Sequence, residues 1–148
     1  MDELTEEQKD KLREELAIEA AKLIGIKYEF GASWTDYTKP PDAVDCSELT
    51  MGVYLIKGLR CPDGSQAQYN AFLPTATPKL MDLAFFGKNG DPARVYHVGF
   101  YFRMGLILEA RAHDPKASFE TGRVIVRPQA KWEASPNWLG YRSHTKLI

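Results

Sequence analysis

Cys46 stands in "PDAVDCSELTMGVYLI", where a proline-bearing loop gives way to an apolar run with helical spacing. A thiol in the first turn of a helix faces unpaired backbone N–H groups and the positive end of the helix dipole. Both favour the thiolate, the form that attacks a carbonyl carbon. Asp45 suits the N-cap, which places Cys46 first in the helix, Ser47 second and Glu48 third, where a carboxylate can reach back as in a capping box. The same pattern also accommodates a small buried residue at a helix start, so it needs a base before it means catalysis.

His97, in "RVYHVGFYF", is the candidate base. Strand alternation puts Val95, His97, Gly99 and Tyr101 on one face and Tyr96, Val98, Phe100 and Phe102 on the other. An imidazole among such neighbours is either a hydrogen-bonded core histidine or a base that takes a thiol proton and later gives it to a leaving amine. The next run, "GLILEARAHD", offers Glu109, Arg111 and His113 on one face at period two. Glu109 lies between Leu108 and Ala110, so burial there demands a partner. A cross-strand ion pair and a contact that orients His97 would each provide one.

The remaining chemistry-bearing types point elsewhere. His97, His113 and His144 have no metal-ligand spacing, and Cys46 and Cys61 form no C-x-x-C pair, so no metal or other cofactor is implied. The two cysteines read as free thiols. Trp34, Tyr37, Trp132 and Trp138 are either core or groove wall for a peptide or sugar. His144, in a polar C-terminal stretch, is expected at the surface.

These residues need elements to hold them. Thr5-Glu6-Glu7-Gln8 fits a capping box, and Leu12, Leu16, Ala20 and Leu23 line one face of a helix over about 5–24, whose charged residues read as a solvated face. Residues 27–45 are rich in aromatics, Gly and Pro, giving a short extended piece and an irregular loop. A second helix is predicted from Cys46 to Lys57, then a turn at "CPDGS" and a short helix over 66–72. "MDLAFF", "VYHVGFYF", "GLILEAR" and "RVIVRP" read as an antiparallel meander. Helices first and strands after give an α+β fold with the helices on one side of a sheet.

With 148 residues, 44% apolar, 26% charged and a formal charge of -1, the composition fits one globular domain over 1–148. It supplies no field to gather nucleic acid. No stretch approaches the roughly 18 apolar residues that would span a membrane, and the first residues lack the pattern of a signal peptide. The expectation is synthesis in the cytoplasm, without membrane insertion.

Taken together, Tyr28 and Gly31 in "YEFG", then "DCSEL", "MDLAFF", "HVGFY" and "LEA" resemble the NlpC/P60 cysteine peptidases in order and spacing, across about residues 26–142 behind an N-terminal helix over 1–25. The resemblance implies a papain-like α+β core, with N-terminal helices packed on an antiparallel sheet. It implies hydrolysis of an amide bond in bacterial cell-wall peptides, typically between γ-D-glutamate and a diamino acid. Carried across, Cys46 matches the nucleophile, His97 the base and Tyr28 an aromatic hydroxyl beside them, with Asp45 and Ser47 in support.

Two positions depart from the family. Most members place a histidine before the Ala of "LEA", where this chain has Glu109; a carboxylate can accept the imidazole N–H and favour the imidazolium. His113 is the rival, four residues on and roughly 13 Å away at strand rise, so only one of the two can sit beside His97. Glu48 stands where the family usually has Gly; it either pairs with Arg111 across a substrate groove shared with Trp34 and Tyr37 or caps its helix. "DCSEL", "PDGS" with Gln68, and "EAR" look like phage lysins and tail proteins. That implies release by a holin or carriage with virion proteins to the wall; a monomer is the separate expectation. A thiol acyltransferase on the same layout and a non-catalytic wall-binding or virion module are the competing readings.

Overall fold

A computed structural model describes residues 3–112 and 122–148; His113 lies outside them. The first helix, α1 (Glu6–Ala21), starts at the anticipated capping box. Thr5 Oγ1 accepts from Gln8 N–H at 3.1 Å and Gln8 Oε1 from Thr5 N–H at 2.8 Å. It ends three residues earlier than the apolar spacing suggested, because residues 22–25 turn the chain so that Gly25 N–H reaches Val124 O at 2.9 Å.

Leu16, Ala17 and Ala20 are buried on its inner face, and so, against expectation, is Arg13. Its guanidinium donates to Leu80 O (2.6 Å), Asp82 Oδ1 (2.8 Å) and Leu147 O (3.0 Å), while Asp82 Oδ2 accepts from Lys79 N–H at 2.8 Å. A charge can be buried there because every strong partner is in place.

After β1 (Lys27–Tyr28) and β2 (Ala43–Val44) comes α2 (Cys46–Ile56), which buries Leu49, Val53 and Tyr54. Next are α3 (Ser65–Ala71), β3 (Leu73–Thr75), β4 (Leu83–Gly87), β5 (Val95–Tyr101), β6 (Leu106–Arg111) and β7 (Arg123–Pro128). A short α4 (Gln129–Glu133) and β8 (Trp138–Ser143) complete the chain, followed by a 3-10 turn.

Among the described residues the strands form an eight-stranded sheet in the order β2-β1-β7-β6-β5-β4-β8-β3, antiparallel except for the β1–β2 pair. β4 to β7 make the anticipated meander. β3, β8 and α4 had no comparable local signature.

The α2 and α3 helices pack on the sheet and α1 on α2. The main core of Leu16, Leu49, Val53, Phe85, Phe100 and Leu108 fills the space between them. On the other face α4 covers a smaller cluster of Ala84, Phe86, Ile107, Trp132 and Tyr141. The fold is α+β as expected, but with both faces of the sheet covered. His144 is not at the surface: it is 2% exposed, bonded to Arg60 O at 2.7 Å and packed on Tyr54 and Phe72.

Candidate active site

The chain enters α2 through a tightly bonded turn. Asp45 Oδ1 accepts from Glu48 N–H at 2.8 Å and from the Ser47 hydroxyl at 3.3 Å, and Oδ2 accepts from Gly31 N–H at 3.3 Å. Gly31 reaches that position with φ of 74°, a left-handed conformation glycine adopts freely. Beneath the turn, buried Gln68 donates to Ser47 O (3.1 Å) and Pro62 O (3.0 Å) and accepts from Thr50 Oγ1 (2.7 Å). Gln66 accepts from Val95 N–H at 2.8 Å. Thus α3 holds the start of the helix bearing Cys46 and the start of the strand bearing His97.

That strand does not alternate evenly. Phe86 pairs with His97 but Gly87 pairs with Val95, so Tyr96 is an extra residue, a β-bulge. Val95 therefore joins Val98 and Phe100 in the helix-side core, while His97 stacks on Phe86 and Trp132 at the other face. The expected sharing of one face by Val95 and His97 fails for this reason. The Tyr96 carbonyl is left pointing at Cys46, its oxygen 3.9 Å from Sγ.

His97 Nε2 meets Glu109 Oε1 at 2.8 Å. Gly99 makes this possible: a Cβ there would lie 2.9 Å from Ile107 Cγ2 and 3.2 Å from Glu109 Cβ. Glu109 is fully buried and every lobe of its carboxylate is engaged. Arg127 donates from Nε to Oε2 (2.6 Å) and from Nη2 to Oε1 (2.9 Å), and Trp132 Nε1 donates to Oε2 (3.0 Å). Trp132 also stacks on Phe86 at 4.3 Å between ring centres and lies under the Arg127 guanidinium.

Burial opposes ionisation of Glu109, yet hydrogen bonds from His97 and Arg127 hold its pKa below the ordinary value. Burial likewise disfavours a charged His97, but the neighbouring Cys46 and Glu109 side chains outweigh it and raise the imidazole to about 9. Cys46 thus lies within electrostatic reach of His97, although its formed hydrogen bond goes to Tyr96. Such contacts are often loose before substrate arrives. With Nε2 committed to Glu109, Nδ1 is the ring nitrogen left for the thiol. Tyr28 borders the same place: burial, then the charges of Cys46 and Asp45, push its hydroxyl to about 12.

The other candidates divide. Trp34 is 4% exposed and packs in the core, bordering a small recess that Tyr37 also lines. Its indole N–H donates to Asp36 O and Lys39 O, and its ring sits where any Cβ on Gly52 would lie 2.2 Å away. Half-buried Tyr37 packs edge-on against it at 5.0 Å. Glu48 accepts from Trp34 N–H at 3.2 Å, and no Glu48–Arg111 ion pair forms among the described residues. Exposed Arg111 ends β6, at the end of the sheet where β5 begins. Arg127 and Trp132 are the members of the cluster that were not assigned to it from sequence. Both cysteines are free thiols. Among the described residues no three His, Cys, Asp or Glu side chains group as a metal site, and no helix is long and apolar enough to cross a membrane.

The NlpC/P60 family profile matches residues 25–128. The chain belongs to the NlpC/P60 family. Its structure is similar to that of an NlpC/P60 family protein from Bacillus cereus ATCC 10987 (TM-score 0.74, 19% identity), covering 89% of this chain and 40% of that one. It is also similar to the peptidoglycan hydrolase RipB from Mycobacterium tuberculosis (TM-score 0.68, 25% identity), covering 95% and 67%. The NlpC/P60 domain of the peptidoglycan hydrolase SagA matches with TM-score 0.64 and 26% identity over 88% and 97%. The chain thus spans less than half the length of the Bacillus protein. A comparison with curated protein sequences gives no significant match.

Proposed function

We propose that this NlpC/P60 chain is a cysteine endopeptidase of peptidoglycan, cleaving the γ-D-glutamyl–diamino acid bond of wall stem peptides. The observation that carries the reading is one contiguous set: Cys46 at a helix N-terminus, His97 beside it, and a buried Glu109 bonded to His97 at 2.8 Å. The raised His97 pKa favours an imidazolium that can protonate a leaving amine.

The thiolate attacks the carbonyl carbon, forming a C–S bond and an oxyanion. In the first turn of α2, Asp45 engages the N–H groups of Glu48 and Leu49, so those of Cys46 and Ser47 are available to the oxyanion. His97 gives its proton to the amine nitrogen, the C–N bond breaks, and an acyl-enzyme remains. Water then loses a proton to His97 and its oxygen displaces sulfur, releasing the carboxylate product. Glu109 holds the ring in register and stabilises its charge without taking the proton.

The phage-like variants "DCSEL", "PDGS" and "EAR" support action at the bacterial wall as a lysin or tail-associated hydrolase. The test is digestion of purified peptidoglycan by the wild type and by Cys46→Ala, with fragments identified by mass spectrometry. Expected are wild-type fragments with new γ-D-glutamyl carboxyl ends and none from the mutant. Equal release by both proteins, or cleavage at glycosidic bonds, overturns the reading. Fragments joined to an added amine would reassign the reaction to acyl transfer.

A further inference from the structure

The strand that carries His97 begins at a densely hydrogen-bonded turn. Between β4 and β5, Lys88 N–H donates to Arg94 O at 2.9 Å, and Asn137 Oδ1 accepts from Asn89 N–H at 3.0 Å. Asn137 Nδ2 donates to the Tyr96 hydroxyl at 2.7 Å. Asn89 has φ of 56°, and a Cβ on Gly87 would come within 2.3 Å of the Asp91 carbonyl oxygen, so the backbone is committed to this shape.

Beside the turn lies an open recess of about 640 Å³ lined in part by Lys88, Arg94, Tyr96, Asn137 and Gln66. Its charged lining residues are both cations, and among the described residues neither lies within ion-pair distance of a carboxylate. Asp91, in the same turn, is not part of the lining and accepts from Ala93 N–H at 2.9 Å. Gln66 is already engaged by Val95 N–H and Pro92 O.

Tyr96 connects this recess to the thiol, its side chain on one and its carbonyl oxygen 3.9 Å from the other. Arg94, Val95 and Tyr96 immediately precede His97, so the recess adjoins the start of the strand that carries His97. In the mechanism above His97 protonates the leaving amine, so the amine half of the substrate runs toward this strand.

We propose that Lys88 and Arg94 bind a carboxylate on the amine side of the scissile bond, making the recess a specificity pocket for the C-terminal half of the stem peptide. The assignment rests on the peptidase reading. A diamino acid whose amine is acylated carries a carboxylate of its own or on the residue after it, within roughly 3.3 Å of extended chain per residue. Two cations on such a turn suit a carboxylate and disfavour its amide.

The test uses Cys46→Ala protein, titrated calorimetrically with L-Ala-γ-D-Glu-X-D-Ala tetrapeptides, X being diaminopimelate or lysine. Each is offered with its amine-side carboxyls free or amidated. Expected is about tenfold tighter binding of a free form, a preference abolished by Lys88→Ala/Arg94→Ala and weakened by salt. Equal binding of both forms, or a preference that survives the double substitution, overturns the proposal. Wild-type digestion of peptidoglycan alongside separates the two failures. Cleavage without carboxylate preference removes the pocket alone, whereas absence of both cleavage and binding removes the peptidase reading with it.

Discussion

Glu109 and Asp82 are both buried carboxylates near the sheet, and each meets an arginine. Asp82, with Arg13, the Lys79 N–H and the nearby carbonyls of Leu80 and Leu147, closes a knot that joins α1 to the start of β4 and to the C-terminus. Every group in it is an ion or a backbone amide, and none is a nucleophile or base. Glu109 has the same kind of arginine partner but spends one contact on an imidazole whose side chain is 14% exposed and lies beside a thiol. A buried ion pair is therefore no mark of a site by itself. What separates the two is whether the buried charge is passed on to a group that substrate can reach.

Substituting the two carboxylates should make that difference measurable. Glu109→Gln keeps the shape but removes the charge that favours imidazolium, and peptidoglycan turnover should fall on the order of 10³-fold. Asp82→Asn leaves Arg13 buried without its counter-ion and should cost about 3–5 kcal/mol of stability while turnover per folded molecule stays unchanged. Thermal melts with activity normalised to folded protein read both. If Asp82→Asn lowers specific activity as much as Glu109→Gln does, the two carboxylates are not functionally distinct.

The arginines extend the contrast. Arg13→Met should behave as Asp82→Asn does. Arg127→Met should destabilise less, since its side chain is 21% exposed against 5% for Arg13, yet lower turnover by about tenfold to a hundredfold. Without Arg127 the buried Glu109 holds a proton more readily, so the acid limb of the pH profile should move to higher pH. An unmoved limb would leave Arg127 a purely structural residue.

The parts of the site that were legible in the sequence are local ones. An N-cap, a helix start and a capping box are each decided within four residues, so Thr5 with Gln8, and Asp45 before Cys46, could be placed from spacing. The Glu109 cluster depends on register between strands. Glu109 pairs with Ile125, and period-two alternation then sets Arg127 on the same face, a signal present in "RVIVRP" that gains meaning only once β6 and β7 are paired. The bulge at Tyr96 and the burial of Trp34, His144 and Arg13 likewise follow from distant partners. β8 and β3 close the sheet through contacts far apart in sequence, which no local period announces.

Titration should separate the two buried clusters further. The folded pKa of His97, about 9, lies above its ordinary 6.5. Its contribution to stability is therefore complete below about pH 6.5 and is lost as pH rises through 9. The activity that depends on imidazolium should share that alkaline limb, near pH 9 in kcat/KM. Glu109, with its lowered pKa, contributes above its ordinary 4.5 and loses that contribution on acidification. The Arg13 knot has no imidazole, so Asp82→Asn should leave the alkaline limb where it is, and Glu109→Gln should draw it to lower pH. An alkaline limb that ignores Glu109→Gln would sever the carboxylate from the histidine.

The smallest expected effect probes the space between them. Gly99 lies on the His97 face, and a methyl there meets Ile107 Cγ2 at 2.9 Å, Leu108 O at 3.1 Å and Glu109 Cβ at 3.2 Å. Neither the carbonyl of a paired strand nor a β-carbon can move without the backbone, so Gly99→Ala must shift β6 by a few tenths of an ångström. The expected cost is about 1–3 kcal/mol of stability. Because the displaced atom begins the Glu109 side chain, a several-fold loss of turnover should accompany it, with the alkaline limb drawn below 9 as the Glu109–His97 bond lengthens. A stability loss with turnover and pH profile intact would mean that the 2.8 Å contact tolerates movement, and that Glu109 acts through its charge more than through its geometry.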